Sequence, residues 1–163
     1  MTTIYLVRHS KTLKVNDSYT KDSLQIQNEK KILSLEGEAL AEKHFSNEIF
    51  NNIDCVYSSN YIRAISTAKY VAEKNNIEIN IIDDLGERKF GINTWDELPN
   101  NFERKQFLDE DYKIVGGESQ REVRKRMKSA IMQILNENRE KKIVIVSHGT
   151  AISFLLKEWC DIE

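Results

Sequence analysis

Four short, mostly apolar runs stand out along the chain, at 3–8, 53–58, 78–82 and 143–146. Nearly continuous apolar stretches of this length are what strands buried on both faces require. Between them apolar residues recur every three or four positions, the spacing of a helix that buries one side. After Ser34 these are Leu35, Ala39, Leu40, Phe45 and Ile49, with Asn51-Asn52 as the stop. Ser59-Asn60 supplies an N-cap for a helix over 61–74, whose apolar positions are Ile62, Ile65, Ala68, Val71 and Ala72. Gly116-Gly117 turns the chain and Ser119 caps a long helix to about Arg139, with Val123, Met127, Ile131, Ile134 and Leu135 as its buried stripe. A last helix runs from Gly149 or Thr150 to Trp159. Two stretches carry no period. The segment 13–31 predicts a long loop or a short irregular helix, and 94–112 a short helix or two, broken at Pro99. Strand and helix alternate throughout, which predicts an α/β sandwich around a mostly parallel sheet, in a single domain spanning 1–163.

Composition narrows the function classes. A net charge of −2 over 163 residues gives no basic excess for nucleic acid, so any anion must be held by local arginines. The basic run 121–128 lies on the long helix and reads as a solvated face. No apolar stretch has transmembrane or signal-peptide length, so no membrane partner is expected. Cys55 and Cys160 lie far apart with no metal-ligand spacing and read as buried, reduced thiols, which places the protein in the cytoplasm.

The unusual polar residues fall where these strands end. Arg8 and His9 follow the first, Ser58 and Arg63 the second, Glu87 and Arg88 the third, and His148 the fourth. In a parallel sheet those ends share one edge, where α/β folds gather their ligands. Two arginines, two histidines and a carboxylate form a set suited to phosphoryl transfer. Guanidinium groups fork onto phosphate oxygens without losing their proton. One imidazole can attack phosphorus if its other nitrogen is held as a donor, and a second can stabilise the transition state. A carboxyl can protonate the leaving oxygen. The arginines and a histidine supply the charge, so no metal is called for. Alone, His9 would read as a satisfied structural histidine, and Glu87 beside Arg88 as a surface ion pair. His44 belongs to no such set, and Phe90 and Trp95 suit packing as well as a pocket wall.

These residues lie in blocks that resemble the histidine phosphatase superfamily, also called phosphoglycerate mutase-like. Its Arg-His-Gly-Glu/Gln-Thr motif matches at Arg8, His9 and Thr12. Its Ser-Ser-Pro-Leu-x-Arg-Ala-x-Gln-Thr-Ala block is similar to Ser58 through Ala68, with Arg63 in place. Leu85-Gly86-Glu87-Arg88-Lys89-Phe90-Gly91, Gly116-Gly117-Glu118-Ser119 and Ser147-His148-Gly149 follow in family order. The resemblance implies a three-layer α/β/α fold and a metal-independent phosphomonoesterase without a cofactor. His9 would be transiently phosphorylated, Arg8, Arg63 and His148 would hold the phosphate, and Glu87 would be the proton donor. Thr12, Ser58 and Thr150 are further candidates for substrate contact. The substrate would be a small phosphorylated metabolite or a phosphoprotein.

Departures from the pattern sort the branches. Ser10 stands in place of glycine, with a cost in backbone freedom and a hydroxyl that could meet phosphate. Lys11 replaces a carboxylate or amide and brings positive charge to the rim. Mutases of the family carry a long insertion with paired arginines after the proton-donor loop, and none lies between Glu87 and Gly116. Their tyrosine three residues past the glutamate is Phe90, and their asparagine after the second histidine is Thr150. Phosphatase is therefore expected over mutase. A non-catalytic phospho-ligand-binding module is the remaining alternative, against which Glu87 argues, since binding alone needs no proton donor. The sequence ends at Glu163, short of the further strand with which family members usually continue.

Overall fold

Ile143, Val144, Ile145 and Val146 are fully buried because they run up the middle of the sheet. The computed structural model describes residues 1–14 and 22–160. Its strands β1 (Thr3–Arg8), β2 (Cys55–Ser58), β3 (Ile79–Ile81) and β4 (Lys142–Ser147) form one sheet in the order β1-β4-β2-β3, every neighbouring pair parallel. The helices are α1 (Leu24–Lys30), α2 (Leu35–Phe45), α3 (Ile62–Asn75), α4 (Phe102–Leu108), α5 (Gln120–Glu137) and α6 (Gly149–Leu156).

Alternation along β4 divides the core in two. Val144 and Val146 point to one face and pack with Phe45, Ala64, Ala68 and Val71 of α2 and α3. Ile143 and Ile145 point to the other and pack with Val123, Met127, Ile134 and Leu155 of α5 and α6. Each buried valine, leucine, isoleucine, phenylalanine or methionine among these contributes roughly 1.5–3 kcal/mol. The result is the expected three-layer α/β/α sandwich.

Several element boundaries depart from the sequence pattern. β2 begins at Cys55 and β3 is trimmed to Ile79–Ile81. The helix after Ser34 stops at Phe45, and a separate 3₁₀ turn, Glu48–Phe50, follows. Its buried face is Gly37, Ala41 and Phe45, while Leu35 is 91% exposed. The small side of α2, not its leucines, meets the chain after β1. α3 begins at Ile62, its N-cap Tyr61 makes no side-chain capping bond, and Ser59 is used elsewhere. By contrast α5 opens on a full capping box, with Ser119 and Glu122 satisfying each other's backbone N–H groups. The irregular stretch 94–112 holds a 3₁₀ turn, Trp95–Glu97, and α4, with Pro99 between them. Of the stretch 13–31, α1 is capped by Ser23, and 15–21 lie outside the described residues.

The run 121–128 is not simply a solvated face. Arg124 pairs with Glu110 and keeps 13% of its side chain exposed, and Arg126 keeps 17%. Cys55 is half-buried and Cys160 exposed, so the expectation of two buried thiols fails where the chain leaves α6. No described helix is long and apolar enough to cross a membrane.

Candidate active site

Parallel pairing sets the two histidines side by side. Arg8 of β1 lies opposite Ser147 of β4, and the next residues, His9 and His148, leave the sheet at the same level. The His9 N–H still donates to the Ser147 carbonyl at 2.9 Å. The two imidazole centroids are 5.1 Å apart.

Arg63, in the first turn of α3, lies against both rings. Its Nε donates to His9 Nε2 at 3.0 Å, and its Nη2 bonds His148 Nδ1 at 3.1 Å. Its Nη1 donates to the Asn28 carbonyl of α1. The side chain is buried and stacks on Tyr61, 4.8 Å from the ring centroid. A guanidinium has donors only, so each facing nitrogen must offer a lone pair. That assigns both tautomers. His9 carries its proton on Nδ1 and donates to the Ser10 carbonyl at 2.7 Å, leaving Nε2 as the basic nitrogen. His148 carries its proton on Nε2 and donates to Ser59 Oγ at 2.7 Å.

Both rings are neutral at pH 7. Burial pushes His9 down to about 4, partly opposed by the Ser10 carbonyl and reinforced by Arg63 and Arg8. Burial pushes His148 down to about 2, with Arg63 and the other nearby charges adding to it. Burial also lowers Arg63 from its ordinary value.

The backbone around His9 is held from two sides. The Ser10 N–H donates to Thr67 Oγ1 at 3.0 Å, and that hydroxyl donates to the Arg63 carbonyl at 2.7 Å. The Ser10 hydroxyl donates to the Gly37 carbonyl at 2.7 Å, so it secures α2 and does not face a phosphate. Ser10 is not among the positive-φ residues, and serine costs no strain there. Lys11 is ion-paired with Glu36 at the surface.

Arg8 is exposed and lies over the start of α6, where a Cβ at Gly149 would come within 3.1 Å of its Nε. Its guanidinium has no partner among the described residues, which leaves it open to an anion. Arg8 lines three clefts, two of which hold His9 or Glu87. One, about 860 Å³, also takes in His9, Lys11, Thr12 and Lys14. The other, about 470 Å³, also takes in Glu87, Arg88, Phe107, Thr150 and Ser153.

Glu87 sits at the N-terminus of α6. Its carboxylate accepts from the backbone N–H groups of Arg88 at 2.9 Å, Ala151 at 3.0 Å and Thr150 at 3.3 Å. It does not pair with the Arg88 side chain. That guanidinium is buried between Phe90 and Phe102 and donates to Gln106 and Glu103, so the surface ion pair does not form.

Arg8, His9, Arg63, His148 and Glu87 thus share the edge where β1 and β4 end. Thr12 is on the rim of the larger cleft and Thr150 on the smaller. Ser58 lines neither cleft: it is fully buried and donates to the Ser59 carbonyl, because its side chain points into the sheet's packing. Ser59, Thr67, Asn28 and Tyr61 were not legible as parts of the site. Ser59 and Tyr61 meet His148, Asn28 meets Arg63 and Thr67 meets Ser10, each across a long stretch of chain, and no local pattern carries that. Among the described residues no group of three His, Cys, Asp or Glu is placed to hold a metal ion. The arrangement offers a basic nitrogen in one cleft and a carboxyl in the next, with Arg8 between them and Arg63 behind the two imidazoles.

Comparison with known proteins gives a family and a fold. The model of the family described as histidine phosphatase superfamily (branch 1) matches residues 4–163. A comparison with curated protein sequences returns no match. Among solved structures, the fold is similar to a mycobacterial glucosyl-3-phosphoglycerate phosphatase, at 20% identity and a TM-score of 0.75 over 94% of this chain and 76% of that one. A phosphoserine phosphatase from Entamoeba histolytica is 23% identical, with a TM-score of 0.71 over 100% of this chain and 87% of that one. Bacillus stearothermophilus YhfR is 25% identical, with a TM-score of 0.74 over 97% and 79%.

Proposed function

The chain belongs to the histidine phosphatase superfamily, branch 1, and from that premise we propose that it is a metal-independent phosphomonoesterase working through a phosphohistidine on His9. The observation that carries this reading is the tautomer of His9: Nδ1 bound to the Ser10 carbonyl, Nε2 a lone pair beside Arg63. His9 Nε2 attacks phosphorus and the bond to the ester oxygen breaks. Glu87 donates a proton to that oxygen, and the alcohol departs. Water then attacks the phosphohistidine, its proton passes to Glu87, and inorganic phosphate leaves with His9 restored. Arg8 and Arg63 hold the non-bridging oxygens, Arg63 exchanging its ring contacts for phosphate contacts. His148, held at Nε2 by Ser59, is the third proposed phosphate contact, which requires its Nδ1 to take up a proton when Arg63 turns to the phosphate. Thr12 and Thr150 stand on the cleft rims as substrate contacts.

Two features favour phosphatase over mutase. Phe90, packed on Trp95 and Arg88, brings no hydroxyl to a substrate carboxylate. No arginine pair lies between Glu87 and Gly116. Clefts of about 470 and 860 Å³ suit a small phosphorylated metabolite, the kind of compound named for the glucosyl-3-phosphoglycerate and phosphoserine phosphatases. An exposed free thiol at Cys160 fits the reducing cytoplasm.

The test is hydrolysis of p-nitrophenyl phosphate in the presence of a chelator, wild type against His9→Ala. Chelator-resistant turnover that His9→Ala abolishes is expected. A requirement for added metal, or an active His9→Ala protein, overturns the mechanism. Interconversion of phosphoglycerate isomers would instead establish the mutase.

A further inference from the structure

Gly116-Gly117-Glu118-Ser119 and the arginines of α5 have no part in the reaction as described, yet they hold the segment that carries Glu87. Arg126, two turns into α5, reaches across to the backbone of 84–87. Its Nη1 donates to the Asp84 carbonyl at 2.6 Å and to the Gly86 carbonyl at 3.0 Å, and its Nη2 donates to the Glu87 carbonyl at 3.2 Å. The same guanidinium is fixed from behind by Glu118, at 2.7 Å from Nε and 3.0 Å from Nη2. Glu118 also accepts from the Lys89 N–H at 2.9 Å, and the Glu118 N–H donates back to the Lys89 carbonyl at 2.9 Å. Gly117 lies so close to this segment that a Cβ there would stand 2.4 Å from the Phe90 carbonyl. Three carbonyls on one planar fork, with a carboxylate setting the fork's direction, define a backbone more tightly than a lone contact would. Both sides of Glu87 are therefore clamped.

We propose that Arg126, oriented by Glu118, is a positioning residue for the proposed proton donor: it fixes the 84–89 backbone so that the Glu87 carboxyl meets the leaving oxygen. This rests on the reading of Glu87 as that donor. A proton donor matters in proportion to how poor the leaving group is. An alkoxide must be protonated as it departs, whereas p-nitrophenolate leaves unaided. A misplaced Glu87 therefore slows alkyl phosphates selectively, while general damage to the fold or to phosphate binding slows both substrates alike.

The experiment compares kcat/KM for p-nitrophenyl phosphate and for glycerol phosphate in wild type, Glu87→Gln, Arg126→Gln, Arg126→Lys and Glu118→Gln. Glu87→Gln is expected to lose about 10²–10⁴-fold on glycerol phosphate and far less on the aryl ester. Arg126→Gln should show the same selectivity at a smaller size, about 10- to 100-fold on the alkyl ester, carried by kcat. Arg126→Lys, which keeps the charge but not the fork, should fall between, and Glu118→Gln should lose in the same direction. Equal losses on both substrates, or none, in Arg126→Lys and Glu118→Gln overturn the positioning role, even if Arg126→Gln fails to fold. If Glu87→Gln itself slows both substrates alike, the proton-donor reading has failed and the positioning role falls with it. If Glu87→Gln is selective and the Arg126 and Glu118 variants are not, only the positioning role falls.

Discussion

Arg63 spends each of its three nitrogens on a different acceptor, His9, His148 and the Asn28 carbonyl. No other side chain could do this, since a lysine has one nitrogen on a flexible stem and cannot lie flat between two rings. Arg63→Lys should therefore keep the charge and the fold but release His148 from its tautomer and both rings from their orientation, while the Ser10 carbonyl still holds the proton on His9 Nδ1. A loss of about 10²–10³-fold in kcat/KM on p-nitrophenyl phosphate, with an unchanged circular dichroism spectrum, is the expected outcome. A loss under about 3-fold would mean that charge alone suffices. The position of Arg63 near a strand end was legible in the sequence, but its span across both histidines was not. The nitrogens it meets belong to residues at 9 and 148, and only the sheet order makes them neighbours. Ser59 illustrates the same limit. Its place ahead of α3 marks it as a cap, yet His148 claims its hydroxyl, and the helix begins without a side-chain cap.

At the scale of elements, periodicity succeeded where one apolar stripe faced one layer. α5 has such a stripe and a capping box, and both its start and its buried residues follow from the pattern. α2 misleads because its leucines face water and its glycine faces the core. Gly37 lies against the chain after β1, where a Cβ would stand 2.0 Å from the Lys11 carbonyl. Within a helix, Gly→Ala would ordinarily stabilise by up to about 1 kcal/mol. Here the methyl meets rigid backbone, so Gly37→Ala should destabilise instead, by about 1–3 kcal/mol. It should also lower kcat, because the strained backbone adjoins Ser10, which accepts from His9 and donates to Gly37. Thermal unfolding and steady-state kinetics on the same variant check both signs. A stabilised, fully active Gly37→Ala protein would show that α2 can move away from the site without consequence. The basic run 121–128 failed as a solvated face for a related reason. Arg124 and Arg126, two residues apart, flank the buried stripe on opposite sides, where Arg124 meets Glu110 and Arg126 meets Glu118 and the 84–87 carbonyls, partners that lie off the helix and outside its own pattern.

For the molecule as a whole, strand count and a parallel sheet could be read from the apolar runs, but the order β1-β4-β2-β3 could not, because each run is compatible with several neighbours. That order buries His148 completely between layers and half-buries His9 beside it, and this has a consequence for acid stability. In the unfolded chain both rings titrate near 6.5, whereas in the fold they titrate at about 4 and about 2. Above pH 6.5 neither state binds these protons and stability is unaffected. As pH falls below 6.5 the unfolded chain takes up protons that the folded one refuses, so stability drops with falling pH. Each ring costs about 1.4 kcal/mol per pH unit, His9 ceasing to contribute near pH 4 and His148 continuing below it. The ion-paired carboxylates Glu110, Glu122 and Glu158 are held below their ordinary 4.5 by Arg or Lys partners, so their contribution is lost only below that pH. The window from 6.5 to 4.5 therefore isolates the imidazoles. Urea unfolding across it should give a free energy that falls steeply toward acid, with a slope approaching two protons. A flat profile would mean that the folded rings take up protons as readily as the unfolded ones, and His9 would then lose its free lone pair to a proton as the pH falls through this window.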